Sequence, residues 1–120
     1  MYFCSQKCFC IQHFYQVIFK INILIRTNID RKTDSALLDF CKNEQIQIEV
    51  YFPIAHGEAL KNPIITELAA KYGVSAAQLC IRYGLQLGTI ALPKTANPEH
   101  MKNNADIDFV ITDGDFQTLL

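Results

Sequence analysis

Two short apolar runs constrain the fold most, because helical patterns lie between them. Ile46–Tyr51 alternates apolar and polar residues and stops at Pro53, which reads as a strand. Thr89–Leu92 is a brief apolar run that fits a buried strand. Between them, Asn62-Pro63 places a capping side chain before a proline at the first helical position. Ile64, Ile65, Leu68, Ala69 and Tyr72 then recur at helical spacing until Gly73. Ser75 with Gln78 forms a capping box, and Leu79, Cys80, Tyr83 and Leu87 make the stripe it opens. Strands separated by helices are expected to lie parallel, joined by crossovers.

Local signals extend the pattern on both sides. Ser35–Glu44 reads as an amphipathic helix with Leu37, Leu38 and Cys41 on one side. Asn97-Pro98 repeats the cap-plus-proline start, and Thr112–Asp115 opens a last helix. A further strand is expected at Lys20–Arg26.

The charge pattern divides the chain. Net charge is −1 and pI about 6.3, so neither nucleic acid nor an acidic membrane surface is an expected partner. Residues 1–29 contain Lys7, Lys20 and Arg26 and no acid, whereas every Asp and Glu lies from Asp30 onward. Residues 1–20 stay unplaced, and residues 21–120 read as one partial domain. Val17–Ile25 carries Lys20 and Asn22 and is too short to span a bilayer. The expected setting is therefore the cytoplasm. Cys41 and Cys80 fall inside apolar helical patterns, where free thiols act as small hydrophobes. Cys4, Cys8 and Cys10 lack a second pair and match no usual zinc spacing, so no metal site is expected.

The segment Leu92–Asn104 carries the chemistry. A strand ends and a helix begins within a few residues, and the helix N-terminus offers unpaired N–H groups and partial positive charge to an anion. Lys94 adds a full charge, Thr95 a hydroxyl, and His100 lies in the first helical turn. In parallel α/β proteins ligands sit at the carboxyl ends of the strands, so a phosphate fits here. Taken singly, Lys94 can equally be a solvated charge and Asn97-Pro98 an ordinary helix start.

Several stretches in order resemble the aldo-keto reductase family. Leu92-Pro-Lys-Thr-Ala-Asn-Pro-Glu-His100 is similar to its signature near the C-terminus, and Tyr51-Phe-Pro-Ile54 to its Y-S-P-L segment. Tyr72-Gly-Val-Ser-Ala-Ala-Gln-Leu79 with Ile81-Arg-Tyr83 is similar to its Y-G-V-S helix pair, and His56-Gly-Glu-Ala-Leu60 resembles members of the 2,5-diketo-D-gluconate reductase kind. The resemblance covers residues 34–120. It implies the C-terminal part, about strands six to eight, of an incomplete (β/α)8 TIM barrel, with hydride transfer from NADPH to a small carbonyl substrate as the parent reaction. It implies that Lys94 and Thr95 bind the 2′-phosphate of NADP(H), with His100 beside them and Asn104 toward the adenine. Pro53 and Ile54 would line the pyrophosphate. Phe52 departs from the family's serine there, and Ile23 stands where a Gln or Glu would meet the nicotinamide.

The family's Asp, Tyr, Lys and His belong to the first half of the barrel, and none of their motifs occurs here, so no catalytic residue is assigned. A complete barrel has eight strands and about 250 residues. Three strands leave open edges, so a truncated chain, self-association through those edges, or a non-catalytic remnant that acts as a binding module are the expectations that follow.

Overall fold

The computed structural model describes residues 22–26, 34–51, 53, 54, 57 and 59–120. Residues 1–20, with Cys4, Cys8 and Cys10, lie outside the described residues, as do Phe52, His56 and the Lys20–Ile21 start of the expected first strand. A three-stranded parallel sheet runs in the order β1 (Asn22–Arg26), β2 (Gln47–Tyr51), β3 (Ile90–Leu92). Helix α1 (Ser35–Asn43) connects the first pair of strands. A 3-10 turn (Ala59–Lys61), α2 (Pro63–Tyr72) and α3 (Ala76–Gln86) connect the second, and α4 (Pro98–Ala105) and α5 (Asp113–Leu119) follow β3.

Helix starts obey the local chemistry. The carboxylate of Asp34 accepts from the N–H of Ala36 at 2.9 Å, and the Asn62 side chain accepts from Ile64 N–H at 3.0 Å. Ser75 and Gln78 complete the reciprocal capping box, the hydroxyl accepting from Gln78 N–H and the amide oxygen from Ser75 N–H. The Thr112 side chain caps α5. Three helices then stop in one way. Ile46 N–H reaches Cys41 C=O, Val74 N–H reaches Ala69 C=O, and Thr89 N–H reaches Gly84 C=O, each around a left-handed residue. Gly73 (φ 66°) and Gly88 (φ 82°) fill two of those positions. Gln45 (φ 57°) fills the third, where a side chain is strained.

Register places the helices on one side of the sheet. Ile23 pairs with Ile48 and Ile25 with Val50, and these four pack with Leu38 and the buried Cys41 of α1. On the same face Ala91 pairs with Val50, and Gly84 of α3 lies close to Ala91, so close that a Cβ there would sit 3.9 Å from the alanine methyl. The opposite face carries Leu24, Glu49 and Ile90 in one row and Tyr51 beside Leu92 in the next. Leu24, Tyr51 and Leu92 are exposed there. Among the described residues β1 and β3 each pair with β2 alone.

The larger core is helical. Ala59, Ile65, Ala69, Leu79, Cys80, Tyr83, Ile111 and Leu119 are buried together, with Phe109 and Phe116 packed against them. The expected α3 stripe is present, although Leu87 is only half-buried. Ile81 is buried as well, since α3 is enclosed by α2, β3, α4 and the 3-10 turn. Leu37 departs from the expected buried side of α1, being 36% exposed, while Leu38 and Cys41 pack against the sheet.

The last helix is pinned by polar contacts. Lys71 Nζ lies 2.8 Å from both oxygens of Asp115, and Tyr72 donates its hydroxyl to the same carboxylate. The Tyr72 oxygen in turn accepts from Thr112 N–H at 2.9 Å. The Lys71 ammonium first, then the Tyr72 hydroxyl, hold the Asp115 carboxyl well below its usual 3.8, at about 2. Burial pushes the Tyr83 phenol upward in the core.

Candidate functional site

The strand register gathers the candidate residues at one edge. Arg26, Tyr51 and Leu92 are paired in line at the carboxyl ends of β1, β2 and β3. Parallel strands lie about 4.8 Å apart, so the carboxyl ends of the three strands lie side by side. Pro53 (buried) and Ile54 (half-buried) leave β2 there, and Ile54 C=O accepts from Gly57 N–H at 2.9 Å. Pro93, Lys94 and Thr95 leave β3 at the same edge.

The turn into α4 is built from short polar side chains. Thr95 Oγ1 accepts from Asn97 N–H at 3.1 Å, and the Asn97 side chain accepts from Glu99 N–H at 2.9 Å. Because the threonine oxygen serves as acceptor, its own O–H remains available to donate outward. Lys94 is exposed and has neither hydrogen bond nor ion pair among the described residues. The turn thus presents a full positive charge, a hydroxyl donor and the positive end of the α4 dipole.

His100 and Asn104 stand one turn apart on α4 and therefore share a face. His100 is exposed. Asn104 is 8% exposed, the one buried residue of α4, and its amide has no hydrogen bond among the described residues. A buried side-chain amide normally has a partner, so its donors and acceptor are open to one. Ile23 packs on the helix-covered face of the sheet.

One set of contacts was not legible in the sequence. Gln78, Arg82 and Gln86 recur every fourth residue along α3 and hold segment 106–111. Gln78 Nε2 donates to Asp106 C=O at 2.6 Å, and Arg82 Nη1 to Ile107 C=O at 3.4 Å. Gln86 meets both backbone groups of Ile111. The row of amide and guanidinium donors at one-turn spacing was the available signal.

Among the described residues no helix is long and apolar enough to cross a membrane, and no group of His, Cys, Asp and Glu could hold a metal ion.

Comparison with known proteins agrees with this architecture. An uncharacterized oxidoreductase of Schizosaccharomyces pombe is 42% identical over 84 residues, covering 69% of this chain and 30% of its own length. A glyoxal reductase of Bacillus subtilis is 36% identical over 90 residues, covering 74% of this chain and 33% of its own. The crystal structure of a mutant of Gox0644 in complex with NADPH superposes with a TM-score of 0.78 at 30% identity, over 92% of this chain and 40% of that one. The chain therefore spans about a third of the length of the curated relatives it matches. The sequence model of the Aldo/keto reductase family matches residues 13–119, and the chain belongs to that family.

Proposed function

We propose that residues 21–120 form the cofactor-phosphate portion of an NADP-dependent oxidoreductase barrel, corresponding to about strands six to eight. The observation that carries this reading is the turn between β3 and α4. There Lys94 has no partner among the described residues, Thr95 keeps a free O–H, and the helix dipole points outward. The 2′-phosphate of NADP(H) carries about two negative charges, which suits that set of donors. His100, in the first turn of α4, adds a ring N–H donor, and the open amide of Asn104 suits an adenine ring, whose edge offers a donor and acceptors. Pro53 and Ile54 lie along the same edge, where a pyrophosphate would pass.

Bound NADPH would supply a hydride to an aldehyde or ketone. The residues here would bind and orient its phosphate end, and none of them is assigned as the proton donor to the carbonyl. The NADPH held by the Gox0644 mutant and the reductase name of the B. subtilis relative support this assignment. Within the family we place the chain near the 2,5-diketo-D-gluconate reductase kind, on the His56–Leu60 stretch, and we place it in the cytoplasm.

A second reading is favoured by one feature of the sheet. Leu24, Tyr51 and Leu92 expose apolar surface on the face opposite the helices, and both outer strands have a free edge among the described residues. Such surfaces associate, so the chain would act as an interaction module.

A chimera decides between the two. Residues 34–120 would replace the matching C-terminal part of the B. subtilis glyoxal reductase. The first reading expects a folded barrel that binds NADPH and reduces glyoxal; a folded barrel without NADPH affinity would overturn it and favour the second.

A further inference from the structure

Helix α4 has little apolar packing of its own. Asn104 is its one buried residue, and its side facing solvent carries Glu99, Met101, Lys102 and Asn103. Something other than the core must fix its direction. At its C-terminal end Asp106 N–H bonds back to Lys102 C=O, and from Asp106 to Ile111 the chain forms neither helix nor strand. The row of Gln78, Arg82 and Gln86 takes up that backbone instead, at Asp106, Ile107 and Ile111. Arg82 Nε also donates to Gln86 Oε1 at 3.2 Å, which joins the row laterally.

We propose that Gln78 and Arg82 are positioning residues for the phosphate site. By holding the segment just after α4 they set that helix's direction, and so where its N-terminus, Lys94 and Thr95 meet a phosphate. This inference rests on the reading of Lys94 and Thr95 given above. Its physical basis is leverage. A helix of eight residues is about 12 Å long, so a small tilt at one end displaces the other by an appreciable part of a hydrogen-bond length. Charge-assisted bonds lose strength over displacements of that size.

Gln78 allows a clean test because its two amide atoms do separate jobs. Oε1 accepts from Ser75 N–H and caps α3, whereas Nε2 donates to Asp106 C=O. Gln78→Glu keeps the cap, since Glu is itself a capping-box residue, and removes the donor. Arg82→Met keeps the aliphatic stem and removes the other donor. Two readouts on the full 120-residue chain are needed: residue-level amide exchange, and affinities for adenosine 2′,5′-bisphosphate and for 5′-AMP, which lacks the 2′-phosphate.

Each variant is expected to speed exchange across residues 98–107 while α2 and α3 keep their protection. Affinity for the 2′,5′-bisphosphate should fall about three- to tenfold further than that for 5′-AMP. Faster exchange with unchanged discrimination would overturn the inference and leave the row a purely structural clasp. Unchanged exchange would overturn it too. If the unsubstituted chain itself fails to prefer the 2′,5′-bisphosphate, the reading of Lys94 and Thr95 fails and the inference with it.

Discussion

The side chain of Gln86 pairs with the backbone of Ile111 as a neighbouring strand would: its Oε1 accepts from Ile111 N–H at 2.8 Å and its Nε2 donates to Ile111 C=O at 3.0 Å. Ile111 is 1% exposed and belongs to the main core, so water cannot readily replace a lost partner. An unsatisfied buried backbone group costs about 1–3 kcal/mol. Gln86→Leu should therefore destabilise the fold by about 2 kcal/mol or more in urea denaturation. Gln86→Glu keeps the acceptor for the N–H and should cost less. Equal stability of the leucine variant would mean that solvent reaches Ile111.

Gln45 offers a gain in stability. It holds the left-handed position that ends α1, whereas Gly73 and Gly88 hold the equivalent positions after α2 and α3. Gln45→Gly relieves the Cβ strain and should stabilise by about 0.5–1 kcal/mol, with Gln45→Ala near neutral as control. Thermal unfolding of the three proteins checks this; a loss for the glycine variant would show that the Gln45 side chain has a role of its own.

Acid should release α5. The Asp115 carboxyl titrates at about 2, below its usual 3.8, because Lys71 first and Tyr72 next stabilise its charged form. A lowered folded-state value means a contribution that is present above about 3.8 and lost as pH falls through about 2. Urea midpoints measured between pH 5 and pH 2 (roughly the acid-titration range) should fall more steeply for the unsubstituted chain than for Asp115→Asn. Parallel curves would contradict the linkage. The Lys71 ammonium, raised by the same contact, should stay charged above its ordinary 10.5 and lose its contribution only in strong alkali.

Most element starts were legible because their interactions are local. Asn62-Pro63, Ser75 with Gln78, Asn97-Pro98 and Thr112 cap the helices that the sequence gives them, each bond spanning two or three residues. The parallel sheet followed from the alternation of strands and helices. The stop of α1 was not legible, since no glycine marks Gln45. The hold of α3 on segment 106–111 was hidden for another reason: its partners lie 25 to 28 residues apart, and periodicity reports a helix face without naming what meets it. Strand register, which turns Ile23 toward the helices, is likewise a property of pairing. At the candidate site the residue types at Lys94, Thr95 and His100 were readable, whereas the open amide of Asn104 required burial to be known.

The isolated 120-residue chain should show no carbonyl reductase turnover with NADPH and a simple aldehyde. No proton donor to the carbonyl is assigned in it, and the loss of general acid catalysis typically costs about 10²–10⁴ in rate. Steady-state assays on pure protein check this. Turnover at the rate of the B. subtilis glyoxal reductase would place a proton donor within these residues.

The phosphate site itself is tested most directly by calorimetric titration of adenosine 2′,5′-bisphosphate and 5′-AMP into the unsubstituted chain, Lys94→Ala and Lys102→Ala. Lys94 stands at the carboxyl end of β3, and Lys102 is exposed further along α4. Loss of a charge-assisted bond is worth roughly 1.5–3 kcal/mol, or about one to two decades in affinity. Lys94→Ala should therefore weaken the 2′,5′-bisphosphate about 10- to 100-fold and leave 5′-AMP and the Lys102→Ala protein unchanged. Equal losses for both nucleotides in Lys94→Ala would contradict the account and make Lys94 a residue of the fold, with no part in reading the phosphate.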